Sequence, residues 1–224
     1  MKTTFKQNNI LGSVYNGGSI VFSANNLISP IGNRLKLFNL TENNSKILDL
    51  HSSFNISHVA ITNNNTLLLS VDVKGRCILL NLSSNLVIAH HSFKNPITAI
   101  KFSPNDLYFC ISFGKQSQVW KTPGFSREFA PFQLLQTFTG HHDDITSLSW
   151  SPCSEYFITT SKDMTSRIFG VAKKDYIPIV LAGHRDTVLG AWFASDALDV
   201  VYSCSRDGVL IEWNRSVNGI SFLI

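Results

Sequence analysis

Charge is scarce in this sequence. Asp, Glu, Lys and Arg make up 15% of its 224 residues, against about a quarter in an ordinary soluble domain. With 44% hydrophobic and 11% aromatic residues, the chain is excluded from the highly charged, disordered class and has the means to bury a core of ordinary size. The net charge of +4 contains no basic run longer than Lys173-Lys174, so no polybasic tail announces nucleic acid or membrane binding. Cysteine is also sparse. Cys77, Cys110, Cys153 and Cys204 stand far apart with no CxxC pair, which argues against a disulfide framework or a zinc site, and three of them lie in apolar runs as small buried hydrophobes.

Long hydrophobic runs are missing too. Nothing approaches the roughly eighteen apolar residues of a membrane-crossing helix, and MKTTFKQNNILGSVYNGG lacks the apolar stretch of a secretory signal. The expectation is a soluble intracellular protein. The N-x-S/T sequons beginning at Asn39, Asn43, Asn55, Asn64, Asn81 and Asn214 are then expected to carry no glycan. Catalytic signatures are absent: there is no G-x-S-x-G or H-E-x-x-H, and Gly17-Gly18 is not followed by the GK[ST] of a phosphate loop. The pairs His90-His91 and His141-His142 point to opposite faces if they lie on strands, with no further ligand at a metal-site spacing. No enzyme activity, metal, cofactor, small-molecule substrate or membrane partner is expected. Helical periodicity is hard to sustain anywhere, while frequent Ser, Asn, Gly and Pro breaks favour strands.

What is present is a repeat. The stretch from Leu181 to Trp213, LAGHRDTVLGAWFASDALDVVYSCSRDGVLIEW, runs from Gly183-His184 through an apolar strand to Ser205-Arg206-Asp207-Gly208 and closes on Trp213. That order is the signature of one propeller blade of the WD-repeat class. The residue types suit a polar bracket: His184 can bridge a strand hydroxyl, Ser203 or Ser205, and the Asp207 carboxylate, while the buried Trp213 indole N–H needs an acceptor. Read as a catalytic Ser/His/Asp set, the same residues would have to leave structural-repeat positions that recur upstream. The aromatic or apolar closing position falls at Phe38, Leu80, Trp120, Phe169 and Trp213, with spacings of 42, 40, 49 and 44 residues, room for four short strands per unit.

The units predict an all-β chain: a partial propeller of about five four-stranded blades, approximately 1–50, 51–90, 91–138, 139–181 and 182–224. In the first, Ser19–Phe22, Leu27–Ser29 and Arg34–Leu40 read as strands, with Pro30-Ile31-Gly32-Asn33 as a turn and Lys46–Leu50 as the outer strand. The second turns at Lys74-Gly75. The inner strands of the third and fourth, ITAIKFSP from Ile97 and ITSLSWSP from Ile145, match almost position for position. The fourth restores the polar set with Gly140-His141, Thr160 or Ser161, and Asp163, but ends in Phe169, which fills the space of Trp213 and donates nothing. An insertion from Thr122 to Phe132, TPGFSREFAPF, accounts for the spacing of 49. Its Phe125, Phe129 and Phe132 rings either cover the edge of the fourth blade or, flanked by Arg127 and Glu128, form a docking segment for another protein.

Several segments carry a family resemblance beyond the generic repeat. NNILGSVYNGGSIVFS, SPIGNRLKLFNL, VWKTPGFSREFAPF, HDDITSLSWSPCSEYFITTSKDMTSRIF, GHRDTVLGAWF and SRDGVLIEW resemble, in order and spacing, the N-terminal region of the periodic tryptophan protein 2 family. The KTP–REFAPF stretch is the most specific. The resemblance implies a non-enzymatic nucleolar scaffold of the small-subunit processome, acting in pre-rRNA processing beside a box C/D small nucleolar ribonucleoprotein. Its implied partners are other WD-repeat and processome proteins, with pre-rRNA and small nucleolar RNA nearby. It also implies that this stretch is an open part of a longer tandem propeller. The alternative is a generic WD-repeat adaptor of another complex, such as a ubiquitin-ligase receptor or a trafficking coat.

Overall fold

Short apolar runs broken every few residues by Asn, Ser, Gly and Asp form strands throughout, because each break supplies a turn before helical periodicity can develop. The computed structural model describes residues 15, 17–23, 25–124, 129–171, 177–194, 199–215 and 222–223, and among these there is no helix. The strands form five antiparallel four-stranded sheets. The first contains β1 (Val21–Ser23), β2 (Asn26–Ile31), β3 (Arg34–Asn39) and β4 (Asn44–Ile47); the second, β5 (Ile56–Ile61), β6 (Leu67–Asp72), β7 (Arg76–Asn81) and β8 (Leu86–Ser92). The third contains β9 (Ala99–Phe102), β10 (Tyr108–Phe113), β11 (Gln116–Lys121) and β12 (Gln133–Phe138). The fourth has β13 (Ile145–Trp150), β14 (Tyr156–Ser161), β15 (Thr165–Gly170) and β16 (Ile179–Ala182), and the fifth β17 (Val188–Phe193), β18 (Val200–Ser205), β19 (Leu210–Arg215) and β20 (Phe222–Leu223).

Within each sheet the strands follow chain order, and the first strands of consecutive sheets lie side by side. Four of them line an axial channel of about 460 Å³, from Val21 of the first sheet to Leu148 of the fourth. The sheets are therefore propeller blades, packed in chain order, and the ring is not closed.

Four apolar cores fill the spaces between successive blades. Ile28, Leu35, Leu48 and Leu50 meet Val59, Leu68 and Leu80 between the first and second. Leu69, Leu79 and Phe93 meet Phe109 and Trp120 between the second and third. Val119 and Phe138 meet Phe157 and Phe169, and Ile158 and Ile168 meet Ala191, Val201 and Trp213, in the last two. Phe109 and Phe157 are fully buried, so truncating either to Ala would cost about 3–5 kcal/mol. All five closing positions, Phe38, Leu80, Trp120, Phe169 and Trp213, are buried on the third strand of their blade.

The structure moves two boundaries of the first blade. Pro30 is not in the turn: it pairs with Leu35 inside the β2–β3 ladder, and the reversal is made by Gly32-Asn33. The outer strand is Asn44–Ile47 rather than Lys46–Leu50, because Leu48 and Leu50 turn inward to the inter-blade core. Likewise the inner strand of the third blade is only Ala99–Phe102, since Ser103 and Pro104 already belong to the turn. Gly75 has φ +77°, and a Cβ there would lie 2.1 Å from the Asn95 carbonyl oxygen, so the Lys74-Gly75 turn admits only glycine.

Candidate functional site

The fourth blade assembles the polar bracket from the loop before its first strand, its second strand and the turn into its third. His141 precedes β13, Thr159 lies on β14, and Asp163 sits in the turn between β14 and β15. His141 Nδ1 lies 2.9 Å from Asp163 Oδ2, and its Nε2 lies 2.8 Å from Thr159 Oγ1. Asp163 Oδ2 also accepts the His142 N–H at 2.9 Å, and Oδ1 accepts the Thr165 N–H at 3.0 Å and its hydroxyl at 2.6 Å. Burial by itself would raise the Asp163 pKa. The bonds from Thr165, His142 and His141 outweigh it and hold the carboxyl well below the usual carboxylate range. Burial lowers the His141 pKa, with Asp163 only partly opposing it. The imidazole is therefore neutral, donating from Nδ1 to the carboxylate and accepting the Thr159 hydroxyl proton at Nε2. The hydroxyl partner is Thr159, where the sequence pointed to Thr160 or Ser161. Those two side chains instead bond Thr146 at 2.8 Å and the Asp143 carbonyl at 3.0 Å.

The fifth blade builds a different half of the bracket. His184 Nε2 lies 2.7 Å from Ser203 Oγ, and the Trp213 indole donates to the same oxygen at 2.7 Å. Ser203 Oγ thus accepts from the indole and joins it to the imidazole, whose other nitrogen is Nδ1. That nitrogen is buried and has no partner among the described residues. The expected bridge from His184 to Asp207 is not formed. Asp207 is exposed and caps its own turn instead, accepting from the Ser205 hydroxyl and from the Val209 N–H at 3.3 Å. The two turns also differ in backbone: blade five has Gly208 where blade four has Met164, a non-glycine at φ +63°.

Chemically, these brackets hold strands together rather than present groups to a substrate. Thr159 and Ser203 are 0% exposed, and each hydroxyl is already hydrogen-bonded to an imidazole. His141 and Asp163 with Thr159 form a His–Asp–Thr set without tryptophan, His184, Ser203 and Trp213 form a His–Ser–Trp set without aspartate, and Ser205 and Asp207 form a separate turn cap.

The insertion between the third and fourth units divides in the same way. Phe125, Arg127 and Glu128 lie outside the described residues. Phe132 does not cover the edge of the fourth blade. It stacks on His91 at 4.7 Å and meets Phe93 and Phe109 edge-on, sealing the space between the second and third blades. Phe129 is fully exposed.

A set of inter-blade latches was not read from the sequence. Asn65, Asp106 and Ser154 occupy the same left-handed position between the first and second strands of blades two, three and four, with φ of 58°, 58° and 63°. Each reaches the preceding blade. Asn65 accepts the Ser23 hydroxyl at 2.7 Å, Asp106 accepts the N–H groups of Asn63 and Asn64 at 2.6 and 2.9 Å, and Ser154 accepts the Asn105 N–H at 3.0 Å. Thr62, Ser103 and Ser151 lock these turns by accepting the N–H five residues on, at 3.0, 3.1 and 3.1 Å. The available signal was the Ser-Pro that follows the inner strand in both the third and fourth units.

Four-stranded blades stacked by their first strands around an axis, with a large buried apolar side chain on each third strand and a histidine before the inner strand of the fourth and fifth, define a WD-repeat β-propeller segment. Residues 132–169 match the family described as WD domain, G-beta repeat. The chain is 44% identical to a periodic tryptophan protein 2 homolog of Schizosaccharomyces pombe, over 96% of this chain and 26% of that protein. It is 41% identical to the homolog of Neurospora crassa, over 95% of this chain and 25% of that protein. With periodic tryptophan protein 2 of Saccharomyces cerevisiae the identity is 40%, over 95% of this chain and 24% of that protein. These similarities place the chain in the periodic tryptophan protein 2 family of WD-repeat proteins. It spans about a quarter of the length of the relatives it matches.

Proposed function

We propose that the chain serves as a non-enzymatic scaffold in ribosome biogenesis, as part of the small-subunit processome that handles pre-rRNA beside a box C/D small nucleolar ribonucleoprotein in the nucleolus. The observation that carries this reading is kinship along 95–96% of the chain with periodic tryptophan protein 2 relatives, joined to a fold whose polar brackets are consumed in holding blades. A propeller built this way offers loops and blade faces to partner proteins. Affinity purification of the full-length protein, with identification of the RNA and proteins recovered, tests it. Recovery of small nucleolar RNA with other WD-repeat processome proteins, together with nucleolar imaging, is the expected result. Recovery of a ubiquitin-ligase or coat complex, with diffuse or vesicular localisation, would replace it by the adaptor reading.

A further inference from the structure

One corner of the second blade carries charge that the fold does not use. The pairings Arg76↔Ser92 and Ile78↔His90 put Arg76, His90 and Ser92 on one face of the blade. With His51 and Ser53 of the loop that enters the blade, they line an open cleft of about 440 Å³. Beside it the exposed Phe54 ring lies 5.2 Å from the Arg76 guanidinium and 6.0 Å from the Lys74 ammonium.

No carboxylate answers these cations. Among the described residues neither Lys74 nor Arg76 forms an ion pair. The nearby Asp72 is 1% exposed, and its oxygens are taken up by the N–H groups of Lys74 and Arg76, both at 2.9 Å, and by the Ser52 hydroxyl at 3.2 Å. The cleft therefore presents a guanidinium fork, two imidazoles and two hydroxyls, a donor set matched to a compact dianion. The fourth blade differs in this respect. On the fourth blade Lys162 is paired with Asp144 at 3.0 Å, with Asp143 alongside. A single open cleft with one aromatic ring beside its guanidinium suits a short ligand bearing a single phosphate, whereas a nucleic acid strand calls for a long basic groove with several stacking platforms.

We propose that this cleft binds a phosphorylated serine or threonine in an extended segment of a partner protein, with the phosphate on Arg76 and the imidazoles and an apolar neighbour against Phe54. It rests on the scaffold reading only in taking the ligand to be a protein. The test is fluorescence anisotropy of the purified chain with labelled short degenerate peptides carrying a central phosphoserine, the same peptides with serine, and a single-stranded oligouridine. The phosphoserine peptides are expected to bind and the serine peptides not. Arg76→Ala is expected to weaken binding by about tenfold or more, and Arg76→Lys to restore part of it. Lys162→Ala should leave binding unchanged, and matched melting curves should show that each variant is folded. Equal binding of both peptide sets, no binding of either, or a folded Arg76→Ala chain with undiminished affinity overturns the proposal. Oligouridine binding that is stronger than peptide binding and lost in Arg76→Ala overturns it in favour of an RNA site. Since the assay uses the purified chain and known probes, its outcome is independent of what the full-length protein recovers from cells.

Discussion

Replacing Asp163 by Ala should damage the protein far more than replacing Asp207 by Ala, although the two occupy the same position in their blades. Asp163 accepts four hydrogen bonds, from His141, His142 and twice from Thr165, with its side chain 6% exposed. Ala leaves the His141 Nδ1–H and the His142 N–H without an acceptor in a nearly dry site, a loss of about 3 kcal/mol within a range of roughly 2–5. For a chain of this size that is a fall in melting temperature of about 6–12 °C. Asn at the same position keeps an oxygen but turns an NH₂ toward one pair of donors, so it should lie between wild type and Ala. Asp207 is exposed and bonds only within its own turn, so Asp207→Ala should move the melting temperature by a much smaller amount. The measurement is thermal unfolding of the four proteins followed by near-ultraviolet circular dichroism at neutral pH and one scan rate. Equal losses for Asp163→Ala and Asp207→Ala would refute the claim that only the fourth blade closes its aspartate–histidine link.

Other outcomes follow from the same geometry. Met164 holds φ +63° where the fifth blade has Gly208, so Met164→Gly should relieve about 1 kcal/mol of backbone strain and raise the melting temperature, and a fall would argue against it. Asp106→Ala should speed hydrogen exchange at the Asn63 and Asn64 amides, which it accepts at 2.6 and 2.9 Å, while the β17–β19 amides keep their protection. Acidification should destabilise the chain in two stages. Burial lowers the His141 and His184 pKa values below the ordinary 6.5, so the unfolded chain takes up protons first and stability present above pH 6.5 is lost as the pH falls through the folded values. A second loss begins below about pH 3.8, where the depressed Asp163 carboxyl makes the unfolded state the better proton acceptor. Denaturant midpoints that stay level from pH 7.5 to 5 would contradict the first stage.

The blade count was legible because it depends on local chemistry. Turn residues and one large apolar side chain recur every forty-odd positions, and the inter-blade cores select the same third-strand position from Phe38 to Trp213. Strand ends were less legible where packing overrides propensity. Leu48 and Leu50 look like strand residues yet leave the sheet to fill the first core. Pro30 looks like a turn residue, but it is held in the β2–β3 ladder opposite Leu35.

The brackets were legible as residue types and not as bonds, and the reason is geometric. A hydroxyl on a strand meets the histidine only if it sits on the correct face at the correct height, so a shift of one residue separates Thr159 from Thr160. Thr159 faces the histidine at 2.8 Å, while Thr160 faces Thr146 on the neighbouring strand. The sheet registers do not separate the two blades: both inner strands shift register near their start, between Ile145 and Ser147 and between Val188 and Gly190. With the strands aligned alike, the difference between the blades moves to the turn. In blade four, Asp163 spends one oxygen on Thr165 and aims the other at His141 and His142. In blade five, Val209 replaces Thr165 and offers no hydroxyl, and Ser205 takes the carboxylate instead. The aspartate is thereby drawn into its own turn, His184 Nδ1 is left without a partner among the described residues, and Trp213 supplies through Ser203 the cross-strand link that Asp207 does not. Trp213→Phe would then leave blade five with neither half of the bracket beyond a single His184–Ser203 bond. It should cost about 1 kcal/mol for the lost indole bond, and blade four, which already carries Phe169, should keep its exchange protection unchanged. If both blades lose protection together, the two brackets are energetically one unit and the division between them is wrong.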